Sequence, residues 1–220
     1  MAAPNTQSQI VQAQGLPAGS LDTFMRARRD PLFFLETAVW TLDEIDRWNP
    51  IKQFPNGKRQ VQLIVEEWLR EPLLIIVKSR RLLVTWTFVA LHLWAALFHI
   101  GRSIAFISKK EEDSDDLVRR AKYIYDRLPE NVIPIKPPAK LKYCLLEFPT
   151  LNSSIRGVPQ GSDQLRQYTM SYIYGDEFAF WDKGRETYTS LRPTIEGGGK
   201  VCLVTTPYPG FGEILYKDKT

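Results

Sequence analysis

The residues best equipped for chemistry stand in three short polar segments, each just after an apolar run. Lys78-Ser79-Arg80-Arg81-Leu82-Leu83-Val84-Thr85 follows residues 73–77 (LLIIV), Asp176-Glu177 follows residues 170–175, and Thr205-Thr206 follows residues 201–204. A cationic loop that runs into a helix N-terminus offers a phosphate chain backbone N–H groups, the positive end of the helix dipole and side-chain charge. A strand-terminal Asp, with a loop Ser or Thr, holds the Mg²⁺ that accompanies such phosphates. A Glu beside it orients and deprotonates a water. Taken singly, the segments also read as a cationic surface turn, a solvated strand end and ordinary turn chemistry. Their order favours the joint reading. Open α/β sheets bind ligands beyond the carboxyl ends of their strands, and three such ends converging on one nucleotide describe a P-loop ATPase with an extra strand between phosphate loop and acidic strand.

The phosphate loop departs from the usual G-x-x-x-x-G-K-[ST], because Leu83 and Val84 stand where Gly and Lys precede the hydroxyl residue, here Thr85. Lys78, at the start of the loop, is long enough to reach back across it to the β and γ phosphates. A side chain at Leu83 opposes the left-handed backbone that Gly permits there.

The elements that must position these residues follow from periodicity. Asp30-Pro31 starts a helix whose apolar face runs Phe34, Ala38, Leu42, Ile45, and residues 49–58 form a turn-rich loop. A second helix, from about Arg59, carries Val61, Ile64, Val65 and Trp68 and stops at Glu71-Pro72. Residues 73–77 read as a strand buried on both faces, and residues 103–107 as another. An amphipathic helix with Leu117, Val118, Ala121, Ile124, Tyr125 and Leu128 on one stripe follows, its acidic start complementing the helix dipole. Residues 131–140 form an irregular Pro-rich connection, 143–148 and 153–158 a hairpin, 185–195 a helix. Strands alternating with helices give an α/β fold with a mostly parallel central sheet flanked by helices.

Residues 82–100 contain no Asp, Glu, Lys or Arg and match the roughly 20 residues that cross a bilayer. His92, His99, Thr85, Thr87 and the flanking strand-like runs favour a helix buried in a large core instead. The 220 residues suffice for one large domain, and 44% hydrophobic with 25% charged residues excludes a disordered or fibrous chain. Two distant cysteines, Cys144 and Cys202, and two histidines argue against a disulfide framework and a Cys/His zinc site, and for a reducing compartment. The net charge of +4 permits a polyanionic partner. Residues 1–19, rich in Gln, Ala and Pro, read as a flexible tail without the basic and apolar regions of a signal peptide.

KSRRLLVT, ISKKEEDSDDLVRRAKYIYDRLP, IYGDEFAFW and VTTP together resemble the ATPase domain of bacteriophage large terminases, motors that package DNA into capsids, over about residues 50–212. The resemblance implies a P-loop NTPase of the ASCE type, with ATP and Mg²⁺ as cofactors and a phosphate loop whose lysine stands at its beginning. Carried over, Lys78, Ser79 and Arg80 bind phosphates, and Arg80 or Arg81 senses or stabilises the γ-phosphate. Thr85 and Asp176 hold Mg²⁺, Glu177 activates water, and Thr205 and Thr206 couple hydrolysis to movement. Gln62, or else Gln60, contacts adenine, although a solvated helix residue is the alternative reading. An arginine acting in trans is Arg156 or Arg166. The implied partners are double-stranded DNA, the portal protein, the small terminase subunit and further copies in a pentameric ring, docked at the procapsid portal in the host-cell cytoplasm. Residues 20–220 are then a motor domain with a helical extension over 20–50, and the nuclease domain of such proteins is not expected in this chain. Competing readings are a helicase or other P-loop ATPase, a nucleotide-binding scaffold without turnover, and a single-span membrane protein anchored by residues 82–100.

Overall fold

The computed structural model describes residues 19–80, 82–161 and 169–209. Along the chain it contains α1 (Ser20–Arg29), α2 (Pro31–Ala38), β1 (Trp40–Leu42), β2 (Ile51–Gln53), α3 (Arg59–Arg70), β3 (Leu73–Val77), α4 (Val84–Phe98), β4 (Ser103–Ser108) and α5 (Glu111–Asp126). Then come β5 (Lys140–Lys142), β6 (Leu145–Phe148), β7 (Ser153–Pro159), β8 (Tyr172–Asp176), α6 (Gly184–Glu196) and β9 (Lys200–Thr205).

The main sheet has the order β3-β9-β8-β4-β7-β6-β5. Its first five strands are mutually parallel, while at the far side β6 pairs antiparallel with β7 and β5 pairs antiparallel with β6. Strand β9 therefore lies between β3, which feeds the loop at Lys78, and the acidic strand β8, the place expected for an additional strand. One sheet face, with Ile104, Phe106, Tyr174, Cys202 and Val204, packs into a core shared with α2 to α5. The other, with Ala105, Ile107, Ile173, Val201 and Leu203, packs against Leu191 of α6 and Trp181.

Helix α4 is the apolar run of residues 82–100, and it is buried from Thr87 to Phe98. Neighbours on every side account for its hydropathy. Among the described residues no helix is long and apolar enough to cross a membrane.

Three elements differ from the sequence expectation. The helix begun at Asp30, whose carboxylate accepts from the Phe33 N–H at 3.0 Å, stops at Ala38, so the 20–50 extension is not helical throughout. Trp40–Leu42 instead pairs antiparallel with Ile51–Gln53, inside the expected loop. Phe34 and Ala38 are buried as expected, but Ile45 is 67% exposed. Val39, Trp40 and Thr41 favour extended backbone. The turn is fixed by Asp46, which accepts from the N–H groups of Trp48 and Asn49 and from Lys52 Nζ at 2.6 Å. Strand β3 is half-buried rather than enclosed, because among the described residues it pairs only with β9. Finally, Lys140–Lys142, an exposed polar segment with little strand signal, adds β5 at the edge.

Candidate active site

The phosphate loop leaves the sheet at Lys78, whose N–H donates to the Thr205 carbonyl at 2.9 Å, and enters α4 through Leu83. Leu83 takes the left-handed conformation, φ 58° and ψ 9°, that a glycine would adopt freely. That costs about 1–2 kcal/mol for an L-residue. The turn is held from the helix side, where the N–H and Oγ1 of Thr87 both donate to the Leu83 carbonyl at 2.9 Å. Val84, in the position of the usual lysine, is 4% exposed and belongs to the core.

All three segments meet at one carboxylate. Glu177 Oε1 accepts from Lys78 Nζ at 2.8 Å. Its Oε2 accepts from the Thr206 N–H at 2.9 Å and the Thr206 hydroxyl at 3.0 Å, with the Thr205 hydroxyl at 3.4 Å. Burial works against the charge on Glu177, but the Lys78 ammonium and the Thr206 donors outweigh it and hold the carboxyl below its ordinary range. Glu177 is also left-handed, at φ 50°, which turns the chain sharply after β8 into the short 3₁₀ turn Phe178–Phe180.

Asp176 faces a different environment. Its Oδ1 accepts from the Tyr174 phenol at 2.9 Å. Burial raises its pKa, the Tyr174 bond opposes that, and the neighbouring Glu177 charge adds to it. Among the described residues no cation forms an ion pair with Asp176. A half-buried carboxylate without a paired cation among the described residues is a ligand type that suits Mg²⁺. No group of three His, Cys, Asp or Glu capable of holding a metal occurs among the described residues.

In front of the loop lies a cleft of about 790 Å³. One wall is Lys78, Leu82, Leu83, Val84 and Thr85, and the other is the β1–β2 hairpin with Thr41, Ile45, Lys52 and Gln53. Arg120 of α5 and Trp86 of α4 also line it. A hollow of about 450 Å³ at the β5–β6 edge lacks such a grouping; Lys142 and Glu147 in its wall pair with each other at 2.9 Å.

Lys78, Thr85, Asp176, Glu177, Thr205 and Thr206 are thus assembled at one end of the sheet. Ser79 and Arg80 are exposed and do not line the cleft. Gln60 and Gln62 stand on α3 outside its wall, where Gln53 from β2 is the glutamine present. Arg156 lies within β7, opposite Ala105 and Leu145, two strands from β8. Arg81 and Arg166 lie outside the described residues. The sequence reading missed Tyr174, Gln53 and Arg120. Tyr174 was legible as a phenol two residues from Asp176 and so on its side of the strand. Gln53 required knowledge of the hairpin, and Arg120 sat unremarked beside an apolar stripe.

No protein-family model matches the sequence, and no curated protein matches it. Solved structures do match in fold. The large terminase of bacteriophage HK97 aligns with a TM-score of 0.60 at 11% identity, over 81% of this chain and 37% of that one. The large terminase of a thermophilic bacteriophage, solved in complex with ADP, gives 0.53 at 14% identity, over 73% and 42%. The ATPase domain of the Thermus phage P74-26 large terminase gives 0.52 at 14% identity, over 71% and 68%. The chain spans well under half the length of the first two. The fold, a mostly parallel sheet flanked by helices, is therefore one that it shares with these proteins.

Proposed function

We propose that this chain is the ATP-hydrolysing motor domain of a viral DNA-packaging terminase. The observation that carries this reading is Glu177, held at once by the phosphate-loop lysine and by both threonines at the end of β9. Fold likeness to terminase ATPase domains, one of them in complex with ADP, supports it.

ATP enters the cleft with its phosphates over the loop and the N-terminus of α4, where free N–H groups and the dipole favour anions. Lys78 exchanges the single charge of Glu177 for the more highly charged phosphates, in a pocket where side-chain exposure of 10% leaves little screening. Glu177, freed on one oxygen, orients a water and takes its proton as the water oxygen attacks the γ-phosphorus and ADP leaves. Thr85 and Asp176 would hold Mg²⁺, which when bound would supply charge neutralisation on the phosphate oxygens. Because Oε2 remains tied to Thr205 and Thr206, a shift of Glu177 pulls on the end of β9, and this is the route from hydrolysis to movement. An arginine from a neighbouring copy, Arg166 or Arg156, completes charge stabilisation, a contribution of about 10³–10⁵ in rate where it operates. The moved object is double-stranded DNA gripped through its phosphates, consistent with a net charge of +4. The portal, the small terminase subunit and a pentameric ring complete the machine in the host cytoplasm.

The test is phosphate release with procapsids carrying portals, double-stranded DNA and either the wild-type chain or Lys78→Ala. The expected result is DNA-stimulated hydrolysis that Lys78→Ala abolishes. No hydrolysis in the full mixture, or hydrolysis indifferent to the substitution, contradicts the assignment.

A further inference from the structure

Arg120 has no role in the site as described so far, yet its surroundings are those of a ligand-binding cation. We propose that Arg120 is a second phosphate-binding residue of the cleft, supplying from α5 the charge that Val84 does not supply from the loop. The inference rests on the reading of the cleft as an ATP site.

Two needs and one unused group lead to it. A polyphosphate brings several negative charges into the cleft, while the position next to Thr85 that ordinarily carries a lysine holds a valine with 4% exposure, packed in the core. Among the described residues, the loop cation that does line the cleft, Lys78, is shared with Glu177. Arg120 lines the same cleft as Lys78, Leu83 and Thr85. Its neighbours on α5 are neutralised within the helix, Arg119 by Asp115 at 2.5 Å and Lys122 by Asp126 at 2.6 Å. Arg120 forms no ion pair with any described residue. Its guanidinium instead lies over the Trp86 ring, 5.4 Å from the centroid, and Trp86 is braced by Tyr123 at 5.9 Å. A cation–π contact holds a guanidinium near a ring face without using up its N–H edges, and those edges match phosphate oxygens in pairs.

A phosphate-binding role and a packing role differ in one readout, the dependence of affinity on phosphate number. Binding of N-methylanthraniloyl-labelled ATP, ADP and AMP is measured by fluorescence for wild type, Arg120→Gln, Arg120→Lys and Lys78→Ala, with thermal unfolding of each. Arg120→Gln should weaken ATP roughly tenfold to a hundredfold, the range of one or two charged hydrogen bonds, ADP less and AMP least. Arg120→Lys should recover part of the loss at an unchanged melting temperature. Unchanged ATP affinity in Arg120→Gln, while Lys78→Ala weakens it, overturns the proposal and leaves the ATP reading standing. An equal loss for all three nucleotides in both Arg120 variants marks a packing residue and overturns it too. Wild type that binds none of the three removes the ATP reading and this inference with it.

Discussion

Leu83 and Glu177 both hold left-handed backbone, at φ 58° and 50°, and they flank the same site, one entering α4 and the other leaving β8. Neither residue type favours this region, so the surrounding bonds must hold it: Thr87 on Leu83, and Lys78 with Thr206 on Glu177. At position 83 the balance can be measured. Leu83→Gly removes the backbone strain but loosens the unfolded chain and gives up side-chain contact, so it should leave stability within about 1 kcal/mol of wild type. Leu83→Ile puts a β-branched residue in the same conformation and should lower stability by about 1 kcal/mol or more, read from chemical denaturation midpoints. Lys78, Asp176, Glu177, Thr205 and Thr206 were legible in the sequence because their chemistry and their position after apolar runs agree. What was not legible is how they connect. The Tyr174 bond to Asp176, and the position of Arg120 over the Trp86 ring, depend on distances that residue types do not encode.

At the scale of elements, the misread segment is instructive. Phe34, Ala38, Leu42 and Ile45 satisfy a helical period, and the first two are indeed buried helix positions, but the chain turns extended at Val39 and forms the wall of the cleft. Tertiary pairing with Ile51–Gln53 decided what periodicity left ambiguous. Helix α4 was read correctly because a run of such hydropathy, interrupted by histidines and framed by strands, has few soluble homes except a core. Its His92 is fully buried, with Nδ1 donating to the Phe88 carbonyl at 2.7 Å and Nε2 unpartnered. The rings of Trp68, Phe88, Phe106, Tyr172 and Tyr174 surround it. Burial lowers its pKa to about 4. The unfolded chain takes up that proton near pH 6.5. Between these values the unfolded state binds more protons, so stability falls as pH drops from about 6.5 toward 4, by up to about 3 kcal/mol, and His92 adds no slope above pH 6.5. Urea unfolding at pH 7 and pH 5 should show this loss, and His92→Phe should reduce it. An unchanged pH dependence in that variant contradicts the burial of a neutral imidazole.

For the whole molecule, a mostly parallel sheet with an additional strand between loop and acidic end was anticipated, and β9 takes that place between β3 and β8. Which strand lies at an edge was not, and the half-exposed β3 shows that an unbroken apolar run does not by itself mean enclosure on both faces. The net charge of +4 is a property of the same scale. A grip on DNA through phosphates predicts affinity that is indifferent to sequence and falls at least about tenfold between roughly 50 and 200 mM salt, as a fluorescence anisotropy titration would record. Affinity flat in salt contradicts such a grip. All of this depends on Glu177 being the group that activates water, and one paired measurement on Glu177→Gln addresses it directly. With ATP affinity and single-turnover hydrolysis measured on the same preparation, the account predicts wild-type-like binding with hydrolysis slowed by about 10²-fold or more, since the amide keeps the shape and loses the base. Hydrolysis at the wild-type rate, or a loss confined to affinity, contradicts it.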